Sequence, residues 1–593
     1  MMNEAVHHAS TTYQQPSFNR IFSADIQRLV SEKRSEGVAA TQISQHKARL
    51  RECITQLRNL LASEKTASFK EYLENLDATS ETNYSLWRAA RNLKRPVQFK
   101  PPLRNSSGDW ARSDCEKSTV SSPPHPVTFE FREVQNVIAN LNPKKAPGID
   151  GISNKMMIEL PRVAVRILLF IFNAMLRLEY FPNNWKVAVV KMIPKPGKDL
   201  TKAESYRPIS LLPTMSKLFE KLLVTKLSPI LAERNCIPDH QFGFRRQHGT
   251  IEQTHRLVQV IRSAFEQKSY CSALFIDVSQ AFDKVWHEGL ILKLKLHLPT
   301  NIVKLLENYI TSRKFVVKEG EFVSLPEYIA SGVPQGSILG PLLYLIYTSD
   351  MPVGSNIHTS TFADDTACLS THKIPQEATR HLQEYIFQFE QWLKLWRIKV
   401  NEQKCVHVTF TLRRETCPPI RINNQVVPQH SRVKYLGIHL DQRLTWKFHI
   451  EAKLTQMKLK LAQLHWLIGR NSTLSLDCKL LIYKSLMKPI WFYGAQLWGT
   501  ASASLVEKIQ RWQNKILRLI TSAPWYVRNI NIHRDLNMPL VTSEIAKVAG
   551  KYLIKLESHP NPLARSILNH RGHIRLKKRD TAALISNSTN NVS

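Results

Sequence analysis

Near the start of the chain, Leu50, Ile54, Leu57 and Leu61 recur at helical spacing among Arg, Lys and Glu, which predicts an amphipathic helix. From Pro101 to Pro126 that periodicity gives way to Ser, Pro, Asn and Gly, ending in Ser121–Ser122–Pro123–Pro124, the composition of a linker. Between Thr128 and about Leu440, helical stretches alternate with short apolar runs. Val187 to Ile193 and Ser272 to Val278 are nearly continuous in apolar residues and end on charged or turn residues, as strands buried on both faces do. His358–Phe362 and Ala367–Ser370 flank a short polar turn and predict a hairpin. Beyond Leu440 the period is helical almost throughout. Leu480, Leu481, Tyr483, Leu486 and Met487 mark one helix, and Ile509, Trp512, Ile516 and Leu519 another. No repeat of solenoid or propeller period is present. The class predicted is α+β. It comprises a helical extension (1–100), a linker (101–127), a mixed region (128–440), a helical region (441–570) and a basic, then disordered tail (571–593).

Composition adds a partner to this outline. Across 593 residues, 82 Lys+Arg against 48 Asp+Glu leave a net charge of +34, which points to a polyanion, either nucleic acid or an acidic membrane surface. Residues 441–580 hold 24 of those cations and 8 acids, a net +16. Trp446, Trp466, Trp491, Trp498, Trp512 and Trp525 are interleaved with them; at helical apolar positions most belong to a core, which leaves the cations for phosphate. The eight cysteines lie at least twelve positions apart, so neither a zinc knuckle nor a disulfide scaffold is predicted. Residues 1–10 lack the apolar core of a signal peptide. Val163 to Phe172 is interrupted by Arg166 and falls short of the ~20 residues of a membrane span. Nuclear or cytoplasmic residence is expected, with no secretion and no membrane anchor. Lys577–Lys578–Arg579 reads as a nuclear signal or as a solvated basic patch.

Two acidic segments carry the candidate chemistry. In Ala273–Asp283 an apolar strand runs straight into Asp277, and in Thr361-Phe362-Ala363-Asp364-Asp365-Thr366 two carboxylates sit at the tip of the predicted hairpin. Adjacent acids repel unless a cation neutralises them, and three carboxylates suit a pair of hard divalent ions. Such a pair serves in-line phosphoryl displacement. Taken alone, Asp-Asp is as readily a solvated turn and Asp277 a helix cap.

The order of motifs decides between these. The sequence resembles the reverse transcriptases, which carry an aspartate on one strand and [FY]-x-D-D on a hairpin. Asp277 matches the first and Phe362-Ala363-Asp364-Asp365 the second. Between them, Gly332-Val333-Pro334-Gln335-Gly336-Ser337 matches the family's P-Q-G loop. Upstream, Lys145-Ala146-Pro147-Gly148-Ile149-Asp150-Gly151, Tyr206-Arg207-Pro208-Ile209-Ser210 and Gln241-Phe242-Gly243-Phe244-Arg245 resemble the fingers of the non-LTR retrotransposon branch. Downstream, Tyr435-Leu436-Gly437 resembles the primer grip. Tyr483-Lys484-Ser485-Leu486, Tyr493–Gly499 and Ala523-Pro524-Trp525-Tyr526 resemble the thumb of jockey-type elements.

The resemblance implies a right-hand polymerase fold, with fingers and an antiparallel palm over 128–440 and a basic helical thumb over 441–570. It implies RNA-directed DNA synthesis with two Mg²⁺ ions, or Mn²⁺ in their place, from deoxynucleoside triphosphates, on an RNA template with a DNA primer or RNA–DNA hybrid. Asp277, Asp364 and Asp365 are the implied metal ligands. Lys195, Arg207, Phe282, Gln335 and Lys404 are the implied nucleotide-binding residues, and Gly336, Tyr435, Leu436 and Gly437 the implied primer–template contacts. Arg207 can fork onto phosphate oxygens. Lys195, between Pro194 and Pro196, and Lys404, a candidate general acid toward pyrophosphate, are equally readable as solvated cations. Phe282, five residues after Asp277, would place a ring where a 2′-hydroxyl would clash. That ring and Ala363, where RNA replicases usually carry glycine, favour DNA synthesis over an RNA-templated RNA polymerase. The retained aspartates argue against a non-catalytic RNA-binding scaffold. Jockey-type elements usually encode an endonuclease ahead of the polymerase, and the ~125 residues before the fingers are expected to be too few to hold one.

Overall fold

The computed structural model describes residues 127–570 apart from 196, 203, 204, 279 and 321, together with 576, 579–585 and short pieces of the first 126 residues. The chain divides into two units, Met1–Pro124 and His125–Ser593, so the change falls inside the predicted linker. In the first unit residues 52–56 and 58–60 are helical, and Leu103–Arg104 pairs with Trp110–Ala111. Leu50, Leu57, Leu61, Lys577 and Lys578 lie outside the described residues.

The second unit is built on strands β1 (Val187–Pro194), β2 (Tyr206–Leu211), β3 (Tyr270–Ile276), β4 (Lys314–Glu319), β5 (His358–Phe362), β6 (Asp365–His372), β7 (Val406–Phe410), β8 (Arg432–Tyr435) and β9 (Ile438–Asp441). The helices that matter here are α1 (Phe131–Ala139), α2 (Arg162–Arg177), α3 (Thr214–Glu233), α4 (Thr250–Glu266), α5 (Leu339–Tyr347), α6 (Pro375–Leu395), α7 (Lys447–Ile468), α8 (Ala503–Thr521) and α9 (Val541–Glu557).

An antiparallel sheet of order β7-β3-β6-β5 lies at the centre. Every residue of β3 is buried, because both of its faces are covered. Cys271, Ala273 and Phe275 join Leu257, Ile261 and Phe265 of α4 in one core; Leu274 and Ile276 point the other way, onto Leu382, Ile386 and Phe389 of α6. The alternation of side chains along a strand thus feeds two cores, and the one serine of the strand, Ser272, is buried with its hydroxyl 2.9 Å from His407 Nε2. Burying each large apolar chain in this way contributes roughly 1.5–3 kcal/mol.

A second sheet, of order β2-β1-β4 with short strands beyond, carries β1 parallel to β4 and antiparallel to β2. Helices α1, α2, α3 and α5 bury Val134, Phe172, Phe219 and Leu343 in a core of their own. On the C-terminal side, α7, α8 and α9 do not form a separate core. Trp446, Trp491, Trp498 and Trp512 join the cluster that covers one face of the central sheet, so packing runs continuously across the boundary expected at residue 441.

Two local expectations need correction, and a third holds for most of the residues it covers. The helix predicted through Leu480–Met487 is α-helical over Leu476–Ile482 and a π turn over Tyr483–Met487. Pro489 follows at once, lacking the N–H that a regular ladder would use. Residues 580–585, expected in a disordered tail on composition, are placed: Thr581 is fully buried, its hydroxyl donating to the Gln496 carbonyl at 3.0 Å. Finally, Trp466 and Trp525 are 74% and 89% exposed, while the other four tryptophans of the helical region are buried as expected.

Candidate active site

Register brings the acids together. The β6–β3 ladder ends with Thr366 opposite Ile276, and Asp365 and Asp277 follow as the next residues, near enough for the Asp277 charge to act on Asp365. Opposed residues of antiparallel strands share a face with Cβ atoms ~4.5–5.5 Å apart, so two carboxylates there repel strongly. Asp364 sits beside them in the two-residue turn between β5 and β6, where Phe362 pairs with Asp365. Burial first, then the fields of Asp364 and Asp277, push the Asp365 carboxyl up to about 6. Burial also raises Asp364; a backbone hydrogen bond pulls it down and the field of Asp277 adds to the rise. Neither residue is fully enclosed, since part of each is still accessible to solvent. Lys404 answers part of this charge, its Nζ lying 3.6 Å from Asp277 Oδ2 with both side chains substantially exposed.

The turn is held from behind. Ala363 has φ +58°, a left-handed conformation that costs a non-glycine residue about 1 kcal/mol. Gln241, 5% exposed, fastens it: its Oε1 accepts from the Ala363 N–H at 2.9 Å and the Gly243 N–H at 2.8 Å, and its Nε2 donates to the Ala363 carbonyl at 3.4 Å. The segment around Gln241 runs along β5 as a short extra strand, with Phe242 N–H on Thr361 O at 2.9 Å and Thr361 N–H on His240 O at 3.1 Å. Gly243 permits this contact, since a Cβ there would lie 2.1 Å from the Ala363 nitrogen. Gln241 is therefore a positioning residue, in a motif the sequence singles out but to which it assigns no role.

A second cluster lies next to the first. Gln335 Nε2 donates to both carboxylate oxygens of Asp283, at 2.9 and 3.0 Å. Its carbonyl accepts from Ser210 N–H at 2.7 Å, tying the loop to β2, which carries the exposed Arg207. Gly336 makes that close approach at φ +117°, where a Cβ would stand 2.6 Å from the Ser210 oxygen. Burial raises the Asp283 carboxyl, against the Gln335 hydrogen bonds and the field of Lys195. Lys195 thus faces Asp283, and its backbone N–H meets Ser205 O at 2.7 Å. Sequence reasoning left Asp283 without a role, although it closes the same motif as Asp277.

Aromatic rings join the two clusters. Phe282 stacks on Tyr344 of α5 with centroids 4.8 Å apart and meets Phe244 edge-on at 5.7 Å. Tyr344 lies within the fields of Asp364 and Asp365, and burial above all holds its phenol protonated. Tyr435 is 4% exposed, packs against Phe275, donates to Ser360 O at 3.3 Å and lies within the field of Asp365, so it supports the sheet beneath the carboxylates. Leu436 and Gly437 form the β8–β9 turn beyond it, where Tyr493 donates to the Leu436 carbonyl at 2.7 Å.

The donor set at the hairpin, carboxylate oxygens alone, fits hard divalent ions. Among the described residues no three His, Cys, Asp or Glu side chains are already gathered closely enough to hold one ion. Register sets the aspartates near one another; bare carboxylates so placed repel, which opposes their convergence.

An aspartate at a strand end beside an Asp-Asp hairpin, on an antiparallel sheet backed by helices, is the arrangement that the resemblance to reverse transcriptases implies. The family model for reverse transcriptase (RNA-dependent DNA polymerase) matches residues 193–440, which contain both clusters. The chain is 39% identical to the probable RNA-directed DNA polymerase from transposon X-element of Drosophila melanogaster, over 97% of this chain and 68% of that protein. It is 37% identical to its counterpart from transposon BS of the same organism, over 98% and 70%, and 39% identical to the RNA-directed DNA polymerase from mobile element jockey, over 91% and 63%. The chain belongs to this family, the RNA-directed DNA polymerases of non-LTR transposable elements. Among solved structures, a telomerase from Candida Tropicalis with a fragment of telomeric RNA aligns over 66% of this chain and 64% of that one, with TM-score 0.33 and 12% identity. No helix among the described residues is long and apolar enough to cross a membrane.

Proposed function

We propose that the chain copies element RNA into DNA from deoxynucleoside triphosphates, in a right-hand arrangement. In this reading the central sheet is the palm, residues from 128 to the β2 region supply the fingers, and 441–570 form the thumb. Residues 1–100 and the linker 101–127 form an extension ahead of it. The observation that carries this reading is the β3–β6 register, which sets Asp365 beside Asp277 with Asp364 at the adjoining turn.

Asp277, Asp364 and Asp365 would hold two divalent ions, Mg²⁺ or Mn²⁺. Bound there, such ions supply charge neutralisation on the triphosphate and a more acidic primer 3′-hydroxyl. The protein's own residues do the rest. Gln241 keeps the turn in one conformation, so the carboxylates do not reorganise during the reaction. Lys195 and Arg207 offer cations to the triphosphate, and Lys404 stands where a proton could pass to the leaving pyrophosphate. Gln335, steadied by Asp283, lines the nucleotide pocket beside Gly336, and Phe282, fixed by Tyr344, excludes a 2′-hydroxyl. Leu436 and Gly437 present a turn to the primer. The expected partners are an RNA template and a DNA primer or RNA–DNA hybrid.

Primer extension on an RNA template tests this directly. Incorporation of deoxynucleotides that depends on a divalent ion is expected. Folded protein that binds the template and extends nothing would contradict it, and preferential ribonucleotide incorporation would point to an RNA polymerase instead.

A further inference from the structure

The C-terminal helical region holds two neighbouring large rings out in water, apart from the isolated Trp466. Trp525 is 89% and Tyr526 70% exposed, their centroids 6.0 Å apart and the ring planes at 81°. Four other tryptophans of the same region are buried, at 6% exposure or less. A well-covered core nearby makes a tryptophan left in solvent an informative exception.

The loop that carries the rings is braced. Arg518, near the end of α8, donates from Nε to Asn529 Oδ1 at 2.8 Å, from Nη1 to the Pro524 carbonyl at 2.9 Å and from Nη2 to the Val527 carbonyl. Val527 N–H closes onto Pro524 O at 3.2 Å, and Pro524 fixes its own φ. One guanidinium therefore ties both sides of the loop to the helix. Rings held this way need little further ordering when a ligand arrives.

Charge selects the ligand. Residues 508–534 contain six Lys and Arg (Lys508, Arg511, Lys515, Arg518, Arg528 and Arg534) and no Asp or Glu, with Lys508 and Arg511 paired to Glu451 and Glu507 outside that stretch. Arg528 is exposed three residues from Trp525, and Arg534, also exposed, shares its charge with Asp535. Exposed π faces amid cations suit unpaired nucleotides, whose bases stack and whose phosphates are anionic. A perfect duplex offers the phosphates but hides the base faces.

We propose that Trp525 and Tyr526 form a binding site for unpaired nucleotides of single-stranded RNA, distinct from the carboxylate site. The choice of RNA rests on the RNA-copying activity proposed above; the stacking chemistry does not.

The test uses the full chain, a labelled unstructured RNA and, in parallel, a blunt RNA–DNA hybrid. Trp525→Ala with Tyr526→Ala is expected to raise Kd for the unstructured RNA about tenfold or more, with the hybrid unchanged within about twofold. The salt dependence of binding should keep its slope, because no cation has been removed. Trp525→Phe should retain most of the affinity. Arg518→Lys, which keeps the charge but cannot brace the loop, should lose several-fold. Unchanged RNA affinity in the double variant would overturn the proposal and leave the rings to a protein partner. Equal weakening on RNA and hybrid would overturn it too, by showing a duplex contact. Wild-type protein that binds RNA through these rings yet extends no primer would count against the proposed polymerase function alone.

Discussion

At the hairpin, three aspartates are set side by side by strand register, and one buried glutamine fastens the turn that bears them. In the helical region, 24 cations are spread over residues 441–580, and the aromatic side chains divide between a shared core and an exposed loop. The first arrangement concentrates like charge and stores the cost in fixed geometry. The second distributes opposite charge over a wide surface where no single group dominates. Chemistry on a phosphoryl group needs the first, because charge must be met at one point; holding a polymer needs the second. A single substitution should therefore act severely at the hairpin and mildly in the helices.

Asp277→Asn gives the largest expected effect. Steady-state incorporation should fall at least ~10³-fold while RNA affinity stays unchanged, which separates chemistry from binding. A comparable loss of RNA affinity would break the contrast between the two regions. Gln241→Met comes next. It removes the acceptor for two buried N–H groups and frees the turn, so kcat should drop ~10–100-fold with little change in KM for nucleotide or in RNA affinity. A rise in KM with kcat intact would instead assign Gln241 to binding. Phe282→Ala should leave deoxynucleotide incorporation within about tenfold of wild type but lower discrimination against ribonucleotides ~10–100-fold. Competition between the two triphosphates at one template position measures it; unchanged discrimination removes the steric role.

A separate effect is on stability, and it is shared by both regions. Burial holds His240, beside the sheet, and His407, in β7, down to about 4, and His449, in the helical region, down to about 3; nearby cations add to the lowering at His240 and His449. Each is neutral when folded and takes up a proton on unfolding below its ordinary value of 6.5. Their contribution is therefore complete above pH 6.5 and is lost as pH falls toward 4, by at most ~1.4 kcal/mol per group per pH unit. Asp365, raised to about 6, acts in the opposite sense over the same window. Chemical denaturation at pH 7 and pH 5 should show a net loss at the lower pH. Greater stability at pH 5 would mean that the carboxylates outweigh the histidines.

Some of this was legible from the residues and some was not, for physical reasons. The ends of β3 and the hairpin were readable to within three residues, because burial on both faces leaves a run of apolar side chains with acids where it stops. The three aspartates were readable because motif order resembles a known family. Gln241 and Asp283 were not: their partners lie 122 and 52 residues away, and nothing local distinguishes a polar residue that fastens a turn from one that is solvated. Tyr435 shows a related limit, since a motif aromatic reads alike whether it faces a ligand or supports the sheet beneath one. Thr581 misled through composition, a polar stretch around one hydroxyl that finds a buried carbonyl. Helical periodicity put all six tryptophans of the helical region on apolar faces and could not single out Trp466 and Trp525.

The central claim is that Asp277, Asp364 and Asp365 jointly gather divalent ions. Iron-directed cleavage tests it most directly: Fe²⁺ replaces Mg²⁺, and ascorbate with peroxide cuts the backbone wherever the metal sits. Cuts confined to the segments around Asp277 and around Asp364–Asp365, suppressed by excess Mg²⁺ and lost in Asp277→Asn, are the predicted result. Cuts elsewhere, or a pattern indifferent to that substitution, would contradict the account.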